Sequence, residues 1–264
     1  MLGHIFKKTI IYHIYLYVRI RVRRRLAIHK GGIASECGIL LNVGKCTTFM
    51  KNVILDGWYE RPERQLCDKY LEKSDKIVEL GSAIGFLALY CRLRLGIQEF
   101  GMVEANPKTI EILKENFKLN HLVPNVLHVA VAREDGVKYL NISGEFWANS
   151  LVSPQSHGQE NLLAVRTITL PNLLREVGFI PNVLIIDIEG SEKDIDPESI
   201  PSEIEAIIIE IHPFSIGIQE AQHLLARFDY CGFRAVDLLE GTYCLLRGQR
   251  LKDHSERVSR SMSK

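Results

Sequence analysis

The sequence predicts an α/β fold built on a doubly wound, mostly parallel sheet with helices on both faces. Two observations lead to this prediction. From Lys76 onward, short segments rich in Val and Ile alternate with longer segments of helical period. Segments that are nearly continuous in aliphatic residues are typical of strands buried on both faces of a parallel sheet. The predicted strands are residues 76–80, 99–104, 126–132, 182–188 and 205–211.

Helical segments connect the predicted strands. Residues 86–95 and 107–119 both show helical spacing, and in the second Ile110, Leu113 and Phe117 fall on one face. One apolar face per helix is what packing against a central sheet requires, so these two segments are predicted to cover it.

The end of the predicted sheet is a hairpin. Residues 232–239 and 242–247 flank Glu240–Gly241, a short connection that would place an antiparallel strand at the sheet edge. Before the first core strand, segments on both sides of Gly44–Lys45 are predicted to be strands, followed by a turn and a helix. The predicted division is a basic and apolar N-terminal helix over residues 1–30, an extension packed on the core over 31–75, the main domain over 76–249, and a disordered basic tail over 250–264.

Composition excludes several classes of protein. Of 264 residues, 46% are hydrophobic and 25% are charged, which is ordinary for a globular chain and excludes a disordered or collagen-like one. The net charge of +1 hides an asymmetry, because residues 1–30 hold eight basic residues and no acidic one. The body is therefore acidic, and no nucleic-acid partner is expected. Six scattered cysteines without a C-x-x-C pair argue against a zinc ribbon or a disulfide scaffold and favour a cytoplasmic protein.

The N-terminal segment permits two interpretations. The apolar run over residues 9–18 is shorter than the roughly 20 residues of a membrane-spanning helix, and the basic run after it is unlike a signal-peptide cleavage site. The preferred interpretation is a helix docked on the acidic body. The second is peripheral contact with a membrane surface through residues 5–26, where basic residues stand beside aromatic and aliphatic ones.

Two acidic residues bracket a glycine-containing turn after the first predicted strand. Gly81 and Gly85 allow close approach of backbone to a ligand, but the dinucleotide fingerprint G-x-G-x-x-G is absent. Glu79 would oppose a pyrophosphate and suits a cationic group, whereas Glu104 ends the next strand and suits ribose hydroxyls. Either acid alone would be read as a solvated charge at a strand end. Together they predict a ligand with a ribose, a cation and a carboxylate, which describes S-adenosylmethionine.

A second set of polar residues follows the later strands. Asp187 and Glu189 end the fourth predicted strand, and Glu210 and His212 end the fifth, so all four are expected at the same edge of the sheet. Asp187 is the preferred general base or acceptor-orienting residue, and Glu189 is the second choice. A divalent cation among these side chains is a less favoured alternative, and no metal site is assigned. The helix after Gly190 offers Glu192 a capping role.

These motifs together resemble the FkbM-type methyltransferases, a group within the class I methyltransferase fold, from about Tyr59 to Pro213. Glu79 stands where that family shows Asp, and Ser82–Ala83 replace Ala–Asn. The segments that carry the resemblance are ELGSAIGF (79–86), VEANP (103–107), DIEGSE (187–192) and IIEIHP (208–213).

The resemblance implies a seven-stranded Rossmann-like sheet with a reversed last strand, S-adenosylmethionine as cofactor, and methyl transfer to oxygen. The acceptor would be a hydroxyl of a sugar, glycan or other small natural-product-like molecule. The expected cofactor-binding residues are Tyr59, Glu60, Glu79, Gly81, Ser82, Ala83, Gly85, Phe86, Glu104, Ala105, Asn106, Ala130 and Val131. The expected acceptor-binding residues are Trp147, Asn149, Ser150, Glu210 and His212, three of them in a long polar loop over residues 143–163.

Two other functions remain as alternatives. A nicotinamide-dependent oxidoreductase could use a similar sheet, although the missing fingerprint and Glu79 count against it. A non-catalytic nucleoside-binding module is the other alternative, and the acids clustered at the strand ends count against that one. Neither the acceptor, the need for a metal nor the oligomeric state follows from the sequence.

Overall fold

The computed structural model describes residues 31–141, 150–152 and 162–262, together with Val18 and Val22. The predicted N-terminal helix, its proposed membrane contact through residues 5–26, and the acceptor candidates Trp147 and Asn149 lie outside the described residues. None of the helices in the described part of the chain combines the length and hydropathy that crossing a bilayer would require.

The centre of the molecule is a seven-stranded mixed sheet with strand order β12-β13-β11-β10-β3-β4-β5. The pairs β11–β10, β10–β3, β3–β4 and β4–β5 are parallel, and β13 is antiparallel to both of its neighbours. This confirms the predicted doubly wound fold with a reversed last strand. The strands are β3 (Lys76–Leu80), β4 (Glu99–Glu104), β5 (Val126–His128), β10 (Val183–Ile186), β11 (Ala206–Glu210), β12 (Arg234–Leu239) and β13 (Thr242–Leu246).

Helices cover both faces of this sheet. Alternation along the strands sends Ile77 to one apolar cluster and Val78 to the other, and both are fully buried. The face of Ile77 packs with Phe86 and Leu113, as the helical spacing predicted. The helices are α1 (Thr48–Asp56), α2 (Arg61–Tyr70), α3 (Phe86–Tyr90) continuing as a π-helix (Cys91–Leu95), α4 (Pro107–Leu119), α5 (Leu170–Glu176), α6 (Pro213–Ile216), α7 (Ile218–Tyr230) and α8 (Gly248–Met262).

The reversed strand does not lie at the sheet edge, so that part of the prediction is wrong. β13 pairs with β11 on one side and with β12 on the other, which leaves β12 as the edge strand. The tight turn at Glu240–Gly241 fixes the hairpin, but only the tertiary structure decides which of its strands enters the sheet.

A smaller, four-stranded sheet with order β6-β9-β7-β8 flanks the carboxyl ends of the main strands. The predicted strand over residues 126–132 is divided, because the chain leaves the main sheet after His128 and enters this one at Ala130. Part of the predicted loop over residues 143–163 is also strand rather than loop. The strands are β6 (Ala130–Val131), β7 (Gly136–Asn141), β8 (Ser150–Val152) and β9 (Leu162–Ile168).

The N-terminal extension is a hairpin followed by two helices. β1 (Ile33–Glu36) pairs with β2 (Ile39–Asn42), but the segment after Gly44–Lys45, predicted as a strand, is α1. Its hydroxyl cap Thr47 accepts a hydrogen bond from the backbone N–H of Met50, and a helical cap overrides the aliphatic run that follows.

Asn116 of α4 ties the extension to the turn after β3. Its Oδ1 accepts the backbone N–H of Asn42 at 2.7 Å, and its Nδ2 donates to the carbonyl of Ile84 at 2.9 Å. Asn116 is fully buried, so its side chain contacts these protein groups and not solvent. It therefore holds the extension against the turn.

The tail over residues 250–264 was predicted to be disordered, and this prediction is wrong for residues 250–262, which belong to α8. Arg250 in its first turn makes two hydrogen bonds of 2.7 Å to the buried carboxylate of Asp75. The next residue, Leu251, packs against the core. The helix is held by these two contacts, which hydropathy periodicity alone does not reveal.

Candidate active site

A cleft lies at the carboxyl ends of the main strands, where ligands bind in open α/β sheets. It encloses about 650 Å³, a volume that includes space open to solvent. Its walls come from both sheets. The lining residues are Gly81, Ala83, Val103, Glu104, Ala105, Val129, Ala130, Val131, Leu140, Asp187, Ile188, Glu189 and Ser191.

The turn after β3 is a junction between three strands. Gly81 has φ +85°, and a Cβ placed there would stand 1.7 Å from the carbonyl oxygen of Asp187. The backbone N–H groups of Gly81 and Ser82 donate to the carbonyl of Val103 at 2.9 and 3.0 Å. Gly81 is therefore required because the backbone after β10 passes directly over it, and not because the turn cradles a phosphate.

Glu104 lines the cleft with a carboxylate that the backbone holds in place. Its Oε2 accepts the N–H of Ala83 at 2.9 Å, and its Oε1 accepts the N–H of Asn106 at 2.7 Å. Burial raises the pKa of Glu104 to about 7, although these backbone donors work against the rise. Each oxygen keeps a lone pair for a further donor, so the group can accept hydrogen bonds from two ribose hydroxyls.

Glu79 does not line this cleft. The side chain is 3% exposed and lies on the face of the sheet that packs with α2 and α3. Burial raises its pKa to about 8, and the charges of Asp187 and Glu104 add to the rise. Its Oε2 has no hydrogen-bond partner among the described residues. Contact of Glu79 with a ligand therefore stays a prediction.

Tyr59 and Glu60 lie with Glu79 behind the cleft rather than in its wall. Tyr59 is buried and stacks on Phe86 with ring centroids 5.6 Å apart. Glu60 adopts a left-handed conformation with φ 48° as it begins α2. Burial and the charge of Glu79 raise the pKa of the Glu60 carboxyl well above its ordinary value. In the described structure, both the Tyr59 hydroxyl and Oε2 of Glu60 are buried without a partner.

Asp187 and Glu189, which line the cleft, belong to a group of four acids and one histidine. We call this group the Asp187 cluster: Asp187, Glu189, Glu192, Glu210 and His212. Nε2 of His212 lies 3.5 Å from Oε2 of Glu189, 3.7 Å from Oδ1 of Asp187 and 3.8 Å from Oε1 of Glu210. Its Nδ1 lies 2.5 Å from Oε1 of Glu192, which is fully buried. The structure therefore brings the two predicted catalytic acids together with Glu210 and His212.

The charges of this cluster shift one another. Burial raises the pKa of Asp187 well above its ordinary value, and Glu210 and Glu189 add to the effect. Burial and the charge of Glu63 raise the pKa of Glu210 to about 7. Burial works against protonation of His212, but the hydrogen bond to Glu192 and the surrounding carboxylates raise its pKa to about 9. Strongly shifted groups in a cleft are typical of functional sites.

Several predicted cofactor residues serve as supports. Phe86 is fully buried in the core, and Ser82 donates its hydroxyl to the backbone carbonyl of Glu79 at 3.3 Å. Asn106 caps α4 by accepting the N–H of Lys108. Gly85 has φ +75° and packs so closely on α4 that a Cβ would reach Leu113 at 2.8 Å. Ala105, Ala130 and Val131 do line the cleft, whereas Ser150 lies in β8.

Two kinds of site residue were not predicted from the sequence. Val103, Val129 and Leu140 form apolar wall, and the last belongs to β7 of the small sheet, whose position no local pattern reveals. Glu192 was assigned a capping role, and its Oε1 does accept the N–H of Gly190 at 3.1 Å. The same oxygen also holds His212, a contact across 20 residues that spacing could not predict.

Comparisons with known proteins identify the family. Residues 79–235 match the model of the methyltransferase FkbM domain, which is more than half of the chain. Among curated proteins, none matches.

Solved structures give distant likenesses. The methyltransferase FkbM from Methylobacillus flagellatus KT is 12% identical, covering 76% of this chain and 55% of that one, with a TM-score of 0.47. The chain thus spans about half the length of this relative. M. jannaschii TYW2 in complex with AdoMet is 16% identical, covering 81% and 82%, with a TM-score of 0.40. A putative caffeoyl-CoA O-methyltransferase from Staphylococcus aureus is 12% identical, covering 92% and 98%, with a TM-score of 0.45.

The residues present fit the cofactor that this family uses. The cleft has apolar wall at Ala130, Val131 and Leu140 and a fixed carboxylate at Glu104, which are the surfaces that an adenosine needs. Because the likenesses to solved structures are low, the assignment rests on the match over residues 79–235. The chain belongs to the FkbM methyltransferase domain family.

Proposed function

We propose that this chain is an S-adenosylmethionine-dependent methyltransferase that acts on a hydroxyl oxygen of a sugar, a glycan or another small natural-product-like acceptor. The observation that carries the proposal is the continuity of the cleft. Glu104 lies in one part of its wall and Asp187 with Glu189 in another, so a nucleoside and an acceptor could share one cavity. Methyl transfer needs this arrangement, because acceptor oxygen, methyl and sulfur must be held in line.

On this proposal the cofactor would lie against Glu104, Ala130 and Val131. Glu104 would accept hydrogen bonds from the ribose hydroxyls, and the two small apolar residues would flank the adenine. The positively charged part of the molecule would lower the raised pKa of the buried Glu79 carboxyl and so favour its ionised form. When bound, the cofactor supplies the electrophilic methyl group.

Asp187 is the residue proposed to orient the acceptor or to accept its proton. Its Oδ1 is buried and has no hydrogen-bond partner within the described ranges, so it can accept a hydroxyl proton. Its raised pKa makes the carboxylate a stronger base than an exposed one. Glu189 is the second carboxylate within reach of the same space, and His212 stands between them.

The partly exposed acids of the Asp187 cluster support an acceptor that is rich in hydroxyl groups. Glu189 and Glu210 are one quarter to one third exposed, and both are hydrogen-bond acceptors when ionised. Several acceptors with few donors suit a molecule that carries several hydroxyl groups. A phosphorylated or carboxylated acceptor would meet repulsion here unless a cation intervened.

The family match favours methyl transfer over the oxidoreductase alternative. A test of the proposal incubates the full chain with isotopically labelled S-adenosylmethionine and a panel of monosaccharides, oligosaccharides and hydroxylated small molecules. The expected product is heavier than its acceptor by about 14 Da, one CH₂, plus the extra mass of the label, and its label is linked to oxygen. Methylation of nitrogen or carbon would contradict the proposal. Cofactor binding without methylation of any acceptor would favour the non-catalytic nucleoside-binding module.

A further inference from the structure

We propose that Asp187, Glu210 and His212 bind a divalent cation of the Mg²⁺ and Mn²⁺ class beside the acceptor end of the cleft. One ligand atom from each lies within 4.8 Å of the other two. Nε2 of His212 is 3.7 Å from Asp187 and 3.8 Å from Glu210. Ligands at about 2.1 Å in an octahedral shell stand about 3 Å apart when adjacent and about 4.2 Å apart when opposite. The three atoms therefore need only small rotations to share one ion.

Glu192 gives the histidine the orientation of a metal ligand. Its side chain is fully buried and directed at the cluster, where Oε1 lies 2.5 Å from Nδ1 of His212. Its Oε2 has no partner among the described residues. Histidines that bind metals almost always donate their other ring N–H to such a carboxylate, which fixes the tautomer and the ring. Nε2 is thereby left as the donor atom facing the acids.

The cluster also contains more acidic side chains than basic ones. Over the ranges that the structure describes, His212 is the one basic group within 4.0 Å of Asp187, Glu189, Glu192 or Glu210. Oδ1 of Asp187 is buried and accepts no hydrogen bond there. Buried charges are normally paired or bound to metal. A divalent cation bound by oxygen ligands and one imidazole would favour the ionised form of these acids.

Only the effect of the cation on the acceptor rests on the proposed function; the cation site itself does not. A cation at this position would bind two neighbouring acceptor oxygens at once, as in a vicinal diol or an α-hydroxy acid, and so fix the hydroxyl that is methylated. Asp187 would then orient the acceptor through the cation. Glu189, which is 3.5 Å from Nε2 of His212, would remain for the acceptor's proton.

The test first dialyses the full chain against a chelator to remove bound metal, and then removes the chelator. The chain is next titrated with Mn²⁺, and binding is followed by electron paramagnetic resonance. The expected result is one bound Mn²⁺ per chain. Glu210→Gln removes a ligand charge, and Glu192→Gln loosens the histidine without touching the ion, so each should weaken Mn²⁺ binding by about 10- to 100-fold. The matched control is Glu203→Gln, an exposed acid just before β11, which should leave the affinity unchanged.

Cofactor affinity and thermal unfolding of each variant, measured in parallel, separate loss of the ion site from loss of the fold. Absence of Mn²⁺ binding by the wild-type chain, or equal affinity in wild type and both cluster variants, would overturn the cation site. Methyl transfer that persists in chelator without Mn²⁺ binding would leave the proposed function intact. Conversely, stoichiometric Mn²⁺ binding that Glu210→Gln abolishes would support the site even if no hydroxylated acceptor is methylated.

Discussion

Two aspartates at opposite ends of the same sheet are treated in opposite ways. Asp75 precedes β3, its side chain is 2% exposed, and it accepts hydrogen bonds from Arg250 and from Nδ2 of Asn182. Asp187 follows β10, which pairs with β3, and its buried Oδ1 accepts none from a described residue. The nearest basic group to Asp187 is His212, at 3.7 Å and shared with three other acids.

The difference distinguishes a carboxylate that stabilises the fold from one that is available to a ligand. A buried carboxylate that is paired and hydrogen-bonded holds elements together, as Asp75 holds α8 to the start of β3. A carboxylate left without partners costs free energy in the folded chain, so its presence needs another explanation, and binding a ligand supplies one. The amino end of the sheet is therefore built for stability, and the carboxyl end for function.

Arg250→Ala should produce the largest change, and in stability alone. It leaves the buried Asp75 without its cation, so we expect the free energy of unfolding to fall by about 3 kcal/mol or more. Urea unfolding measures the change. Arg260→Ala on the same helix removes an exposed ion pair with Glu256 and should change the free energy of unfolding by less than about 0.5 kcal/mol. Equal losses from the two substitutions would mean that Asp75 does not anchor α8.

Asp187→Asn should do the reverse. Turnover should fall by about 10²-fold or more, because the group that orients the acceptor or takes its proton is lost. Cofactor affinity should stay within about threefold, and the free energy of unfolding should not decrease, because the buried Oδ1 of Asp187 accepts no hydrogen bond from a described residue that the substitution would remove. Paired turnover assays, calorimetry and urea unfolding provide the readouts. Unchanged turnover would remove Asp187 from the mechanism. A large loss of stability would show that Asp187, like Asp75, stabilises the fold.

Glu104→Gln tests the intermediate case, a carboxylate held by backbone donors and open to the cleft. Both oxygens accept backbone N–H groups, and an amide can satisfy only one of these contacts. We expect cofactor affinity to fall by about tenfold or more, measured by calorimetry. Glu99→Gln lies at the amino end of the same strand and pairs with Lys76, so it should leave cofactor affinity unchanged. An equal effect of both substitutions would contradict the assignment of Glu104 to the ribose.

The smallest expected effect is a dependence of cofactor affinity on pH. The ionised form of Glu104 accepts ribose hydroxyls and its pKa is about 7, so affinity should rise by about tenfold from pH 6 to pH 8. Stability should move the other way. Because the folded pKa lies above the ordinary value of 4.5, the folded chain binds more protons than the unfolded chain between these values. The contribution of Glu104 to the free energy of unfolding therefore decreases as pH rises from about 4.5 to about 7.

Calorimetry and urea unfolding across this pH range measure both trends, and Glu104→Gln serves as the control. The variant should show flatter profiles than the wild type in both measurements. A wild-type cofactor affinity that is constant between pH 6 and pH 8 would show that Glu104 is already ionised at the lower pH.

The sequence predicted the centre of the main sheet well because strands such as β10 and β11 are buried on both faces and read as aliphatic runs. It failed where local signals compete. Residues 48–56 carry an aliphatic run of strand type, yet the Thr47 cap and the burial of Met50 and Ile54 on one face make them a helix. Residues 248–262 lack an obvious apolar stripe, and their helix depends on the pairing of Arg250 with Asp75.

The candidate site was predicted in part. Glu104, Asp187 and Glu189 line the cleft as expected, because acids at the carboxyl ends of parallel strands meet at one edge. Glu79 was expected beside the same ligand, but strand alternation turns it to the other face. A position at the end of a strand predicts the edge of the sheet at which a residue lies. It does not predict the face of the sheet to which the side chain points.

By itself, the sequence determined the order of strands and helices and the kinds of residue at each strand end, because hydropathy period and turn chemistry are local. Tertiary structure alone decided that the backbone of Asp187 passes over Gly81 and that Leu140 of the small sheet closes the cleft. It also decided that Glu192 reaches His212. These contacts join residues 20 to 106 positions apart, and only the packing of the whole chain brings such groups within a few ångströms.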